Sequence, residues 1–288
     1  KMHLPSWIKE RHFVSPNHDP LYRLLHDAQL HTICEEAHCP NIVECYRNKT
    51  ATFLILGDTC TRGCRFCAVK TGIPKPIDPN EPERIACLVE EMGLDYVVIT
   101  SVTRDDLQDG GAHHFVDVVH KLRERLPNIK LELLIPDFKF NTSAIEQLIA
   151  LNVEVLNHNI ETVERLTPIV RPQASYRRSL DVLSFIKRIK PDQVTKSGIM
   201  VGLGETDAEV YSAMKDLRDV GVDIITIGQY LRPTRWHLPV ARYVHPDTFK
   251  KYEEWGKQLG FKATVAGTFV RSSYKAKESY QKCLTGGS

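Results

Sequence analysis

Six of the eight cysteines in this 288-residue chain fall between positions 34 and 67, in two groups of three. Cys34, Cys39 and Cys45 have the spacing C-x4-C-x5-C, and Cys60, Cys64 and Cys67 have C-x3-C-x2-C. A cubane iron–sulfur cluster normally takes four thiolates. Three thiolates leave one iron open to a substrate, a cofactor or an unusual protein ligand, and an open iron is where a cluster does chemistry. Two other readings of the sulfur compete. Disulfides need an oxidising compartment, and a chain of this length with 42% hydrophobic residues builds a core without them. Structural zinc would use Cys64 and Cys67 as one C-x2-C knuckle, but the sequence has no second knuckle. Cys87 and Cys283 have no partner spacing and read as bystanders.

The elements that must position these residues follow a long repeat. A helical stripe of Leu21, Leu24, Leu25 and Ala28, within 19–29, leads into the first cysteine group. The apolar run 52–56 then reads as a strand buried on both faces, with the second cysteine group on the loop at its C-terminal end. Helix and strand alternate from there, with strands expected at 96–100, 131–135, 153–157, 197–203 and 224–227, and a capping box opening a helix at Thr206. Six such units imply a parallel sheet wrapped by helices and are too few for a closed eight-fold barrel. The expected class is α/β, a partial (β/α)6 TIM-type barrel with N- and C-terminal extensions; a doubly wound open sheet is the alternative. A helix over 247–259 and an apolar segment, 263–266, complete the pattern.

In a parallel barrel the active site lies at the C-terminal ends of the strands. Here those positions are polar: the cysteines after the first strand, Ser101 to Asp106 after the second, His158 to Glu161 after the fourth, Gly202 to Glu205 after the fifth, and Gln229 to Pro233 after the sixth. Any one of these suits a turn or helix cap. Their recurrence beside a cysteine triad favours a single rim that does chemistry.

The run Cys60-Thr-Arg-Gly-Cys64-Arg-Phe66-Cys67 resembles the radical S-adenosylmethionine (radical SAM) enzymes, whose fold is also a partial barrel. The first triad and Arg271-Ser272-Ser273-Tyr274 are similar to the C-x4-C-x5-C and R-S-S-Y motifs of one branch, the lipoyl synthases, over roughly Cys34 to Tyr274. The resemblance implies two 4Fe–4S clusters. One is on Cys60, Cys64 and Cys67, its open iron chelated by S-adenosylmethionine. An auxiliary one is on Cys34, Cys39 and Cys45, with Ser273 as fourth ligand and sulfide as the sulfur donor. It implies radical insertion of two sulfurs, at C6 and C8 of an octanoyl chain on a carrier lysine. Phe66, Thr103, Arg104, Asp105, Asn159, Glu161, Arg171 and Glu205 are the expected cofactor contacts. Six methylenes at about 0.8 kcal/mol each give an apolar tunnel roughly 5 kcal/mol to work with. Rival functions are a biotin-synthase-like sulfur inserter, a two-cluster electron carrier and a zinc-stabilised binding module.

Composition bounds the partners. A net charge of +2 gives no pull towards nucleic acid, and no apolar run has membrane-spanning length. The polar start, 1–20, has no apolar core of a signal peptide, so a reducing compartment is expected, the cytoplasm or an organelle matrix. The resemblance implies octanoylated carrier domains as partners, namely 2-oxoacid dehydrogenase E2 subunits and the glycine cleavage H protein. It also implies an electron donor such as ferredoxin or flavodoxin, and an iron–sulfur carrier that rebuilds the auxiliary cluster. Two basic groups are candidates for carrier docking: Arg171, Arg177, Arg178, Lys187, Arg188 and Lys190, which also suit a solvated helix face, and Arg232, Arg235 and Arg242. The expected organisation is an N-terminal extension with the auxiliary-cluster cysteines (1–50), the barrel (51–245), and a C-terminal extension with the R-S-S-Y motif (246–288).

Overall fold

Aliphatic and β-branched runs form the sheet on which the site is built. The computed structural model describes residues 4–9, 19–48 and 50–286, so most of the polar start lies outside the described residues. Eight strands form one sheet: β1 (His31–Thr32), β2 (Thr52–Ile55), β3 (Tyr96–Ser101), β4 (Lys130–Leu134), β5 (Val155–Asn157), β6 (Val194–Val201), β7 (Ile224–Gln229) and β8 (Ala263–Gly267). They lie side by side in chain order; β1 is antiparallel to β2 and every later pairing is parallel. A doubly wound sheet reverses its strand order at a switch point. This sheet runs in one direction throughout, as a barrel wall does.

The six expected strand–helix units correspond to β2 to β7. The apolar segment near Ala263 adds to them as β8, paired in parallel with β7 along its own whole length from Ala263↔Ile224 to Gly267↔Gly228. Returning helices span Glu81–Met92, Ala112–Arg125, Thr142–Ala150, Tyr176–Ile189 and Asp207–Asp219, and a later one Pro246–Leu259. The Asp207–Asp219 helix opens with the capping box of Thr206 and Glu209. β6 starts earlier than its periodicity suggests and takes in Lys196, which is fully buried.

The N-terminal extension shares the core of the barrel. Leu21, Leu25, Cys34 and Tyr46 pack in one apolar cluster with Phe53, Ile85 and Ile99, while a second cluster joins Ile199, Val210, Ile225, Phe249 and Tyr252. On β7, Gly228 has no room for a side chain, because a Cβ there would lie 2.0 Å from the Val270 carbonyl oxygen. The absent side chain lets the segment leading to Arg271 lie across the mouth of the barrel. Among the described residues no helix is long and apolar enough to cross a membrane.

Candidate active site

The Cys60–Cys67 loop is held from several sides. Thr61 donates through its amide (3.0 Å) and its hydroxyl (2.9 Å) to the Thr103 carbonyl, and its hydroxyl accepts from the Asp105 amide at 3.0 Å. The Cys60 Sγ accepts from the amides of Arg62 (3.4 Å) and Thr103 (3.3 Å). Across the mouth, Arg65 donates its amide to Val170 O (2.9 Å), and Leu238 donates to Arg65 O (3.1 Å). The Gly63 amide donates to the Gln173 side chain at 2.7 Å. Loops following β3, β5 and β7 therefore fix where the three thiols stand.

Arg62, inside the cysteine loop, is the hub. Its guanidinium makes a two-point contact with Asp105 (2.7 and 2.9 Å) and reaches Asp137 at 2.7 Å. Burial works against the Asp137 carboxylate, yet the Arg62 hydrogen bond holds its pKa well below the ordinary range. Neither Arg62 nor Asp137 was among the expected site residues. Asp137 stands just after β4, the one strand exit without a named candidate, so its position was the available signal. For Arg62 the signal was a cation between two cysteines.

Asn159, Glu161 and Arg171 converge beside Cys64. The Asn159 Nδ2 donates to Glu161 Oε1 (3.1 Å), and Arg171 donates to the carbonyls of Asn159 (3.3 Å) and Ile160 (3.0 Å). Arg171 is 8% exposed, and its Nε has no partner among the described residues. Glu161 has a left-handed backbone, φ +66°, uncommon for a residue with a Cβ. It is locked there by bonds from its amide to Gly198 O and from the Met200 amide to its own carbonyl. Gly198 faces this group closely, since a Cβ would stand 2.9 Å from both the Asn159 amide oxygen and the Thr226 hydroxyl.

Three expected contacts have their polar groups engaged inside the protein. Arg104 forms a two-point pair with Asp106 (2.9 and 2.8 Å), Asp105 faces Arg62, and the Glu205 carboxylate accepts from the amides of Gly202 (2.7 Å) and Leu203 (2.9 Å). Phe66 is half-buried against the second apolar cluster.

Burial pushes the Cys64 thiol up, opposed by Arg171, and pushes Cys67 up to about 12, with Cys64 and Cys60 close enough to add to it. Burial and then neighbouring Cys39 likewise raise Cys34, with Cys45 contributing. The structure thus gathers two triads. Among the described residues no three His, Cys, Asp or Glu side chains converge on a point that a single ion would fill. A zinc site needs ligands round one ion, whereas each thiolate of a cubane takes its own iron. Two thiol triads, one of them close enough to the Arg171 guanidinium to feel its charge, fit an iron–sulfur cluster with a charged ligand. Cys87 is exposed, and Cys283 is buried between the last helix and the sheet.

Asn41 donates from its side chain to Phe269 O at 2.7 Å, and the Tyr274 hydroxyl donates to Glu44 at 2.9 Å. The turn that contains Ser273 is therefore docked on the helix that contains Cys45. A cleft of about 470 Å³ lies at the opposite end of the barrel, before β4 and β5, where Arg123 and Asn152 line it. It has none of the site's chemistry.

His158 gives the site an acid limit. Its Nδ1 donates to Ile135 O (2.8 Å) and its Nε2 accepts from the Ser179 hydroxyl (2.9 Å), an arrangement met by a neutral ring with Nδ1 protonated. Burial, then Arg171, lowers its pKa to about 4. A depressed value stabilises the fold above the unfolded value near 6.5 and is lost as pH falls through about 4. Unfolding free energy by denaturant titration is expected to drop by roughly 3 kcal/mol over that window, and His158→Gln to flatten the drop. An unchanged slope in the variant would contradict this.

A radical SAM superfamily model matches residues 54–228. The chain is 53% identical over 274 residues to "Lipoyl synthase" of Thermus thermophilus, covering 94% of this chain and 85% of that protein. It is 50% identical over 291 residues to "Lipoyl synthase, mitochondrial" of Branchiostoma floridae, covering 99% and 77%. Among solved structures, Streptococcus suis SuiB bound to S-adenosylmethionine superposes with a TM-score of 0.61 at 11% identity, over 79% of this chain and 53% of that one. The hydrogenase maturase HydG superposes with 0.60 at 18% identity, over 94% and 61%. At these identities the likeness is one of fold.

Proposed function

The chain belongs to the lipoyl synthases, within the radical SAM superfamily, and from that premise we propose how its residues divide the work. The reaction is the radical insertion of two sulfurs, at C6 and C8 of an octanoyl chain on a carrier lysine. Those carbons are unactivated, and no side-chain acid or base removes their hydrogen. When bound, S-adenosylmethionine and the two clusters supply the carbon radical and the sulfur that side chains lack.

Cys60, Cys64 and Cys67 hold one cluster, and Cys34, Cys39, Cys45 and Ser273 hold the auxiliary one. Asn159, Glu161 and Arg171, with Phe66, face S-adenosylmethionine, and the unpaired Arg171 nitrogen suits its carboxylate. Thr103, Arg104, Asp105 and Glu205 serve this site by fixing its loops. The observation that supports the reading most is the docking of the Ser273 turn on the Cys45 helix through Tyr274–Glu44 and Asn41–Phe269. In this division, 1–50 and 246–288 supply the auxiliary ligands and 51–245 the radical site.

Serine oxygen is a harder ligand than thiolate and matches iron–sulfur chemistry less well, which suits a cluster that must be dismantled. Ser273→Cys is expected to load a full auxiliary cluster and form lipoyl product at least about tenfold more slowly. A variant with full iron content and the wild-type rate would sink the role given to Ser273.

Carrier domains of the E2 and H-protein kind would dock at the rim. Arg177, Arg178 and Lys187 are paired with Glu164, Asp137 and Asp223, so half of that basic group is neutralised within the fold. Arg232 and Arg235 have no carboxylate partner among the described residues, and Arg235 stacks 4.7 Å from the ring of Trp236, which is 81% exposed. This loop is fastened to the cysteine loop, with His237 Nε2 2.9 Å from Cys67 O. A rigidly presented tryptophan is a typical interface anchor. Trp236→Ala is expected to raise KM for an octanoylated carrier about tenfold and leave KM for a short octanoyl-lysine peptide unchanged; equal KM for the carrier would remove this face from docking. A ferredoxin- or flavodoxin-type donor, an iron–sulfur carrier for rebuilding the auxiliary cluster, and a reducing compartment complete the proposal.

A further inference from the structure

Inside the barrel, away from both triads, Lys196 on β6 and Glu132 on β4 form an ion pair at 2.9 Å in which neither side chain is exposed to solvent. Tyr96 donates its hydroxyl to the second Glu132 oxygen at 2.9 Å, and Asn157 on β5 donates to the first at 3.1 Å. Such a pair is costly to bury and is often no more stabilising than apolar residues of the same volume. Its connections give it a use. The Asn157 Nδ2 also donates to the Ser272 hydroxyl at 2.7 Å, and that hydroxyl in turn donates to Asn159 Oδ1 at 3.0 Å. Asn159 then donates to Glu161.

We infer that the buried Glu132–Lys196 pair roots a positioning network, running through Asn157 and Ser272, that fixes the Ser273 turn and couples it to the Asn159–Glu161–Arg171 side of the mouth. Ser272 is the joint. Its hydroxyl has one lone-pair partner in the barrel interior and its proton on Asn159, so anything that shifts Asn159 is felt one residue from Ser273. This rests on the roles proposed above for Ser273 and for the Asn159 group. Ser272 is a positioning residue, not a catalytic one.

The test is backbone hydrogen exchange in the 269–275 segment of the reconstituted holoenzyme, with and without S-adenosylmethionine and without reductant. Wild-type protein is expected to exchange several-fold more slowly there when S-adenosylmethionine is added. Ser272→Ala should exchange up to about tenfold faster in the free state, the worth of one lost hydrogen bond, and show no further slowing on S-adenosylmethionine, while exchange in the 60–67 loop stays as in wild type. Asn157→Leu should reproduce the free-state change. Wild-type exchange insensitive to S-adenosylmethionine, or Ser272→Ala behaving as wild type, would overturn the coupling. Ser273→Ala is the separate control: unchanged auxiliary iron content and Mössbauer spectrum would remove Ser273 as a ligand and leave the exchange result to judge the network.

Discussion

Cys64→Ala is expected to reduce both 5′-deoxyadenosine and lipoyl product to background, whereas Cys45→Ala reduces only lipoyl product to background and keeps 5′-deoxyadenosine formation within a few-fold of wild type. The two triads occupy different supports. Cys64 lies on the loop clamped by Thr103, Val170 and Leu238, beside Arg171 and Glu161. Cys45 lies on the Ile42–Arg47 helix, which is tied to the C-terminal turn. Removing one thiolate leaves the Cys60–Cys67 cluster with two irons lacking a protein ligand and the auxiliary cluster with one, and cluster loss follows. Quantified 5′-deoxyadenosine, protein-bound product and iron per chain decide the matter. If Cys45→Ala also abolished 5′-deoxyadenosine while retaining the iron of one cluster, the assignment of separate tasks would fail.

Lys196→Met is expected to cost about 3–5 kcal/mol of stability, because it strands a buried carboxylate. The double variant Lys196→Met/Glu132→Leu removes the stranded charge, yet it is not expected to return to wild type. Tyr96 and Asn157 each lose their bond to Glu132, and an unsatisfied buried donor costs about 1–3 kcal/mol. Denaturant unfolding of the two variants measures both effects. A double variant as stable as wild type would show that the pair acts alone and not as the root of a network.

Much of this site could be read from the chain because local spacing carries cluster chemistry. C-x3-C-x2-C and C-x4-C-x5-C are short enough to be legible, and strand-end position marked Asn159 and Glu161 before any fold was known. β8 was less legible because Ala263–Gly267 is short and small-residued, and only its pairing with β7 makes it a strand. The interior network was not legible at all. Glu132, Asn157 and Lys196 are polar residues within strands, where periodicity predicts apolar ones, and their partner Ser272 is 115 residues from Asn157. Such contacts exist only once the barrel has brought distant segments together. Arg104, Asp105 and Glu205 carry a related lesson. Polar residues at a rim are as readily consumed in holding loops as in holding a ligand, and sequence position alone does not separate the two.

The most direct measurement is an anaerobic reaction of the reconstituted protein with S-adenosylmethionine, a strong reductant and an octanoyl-lysine peptide, followed by mass spectrometry. The account predicts a peptide carrying two added sulfurs with about two 5′-deoxyadenosines formed per product, one for each C–H bond broken. 5′-Deoxyadenosine formed in quantity with no sulfur in the peptide, from protein shown to hold both clusters, would contradict it.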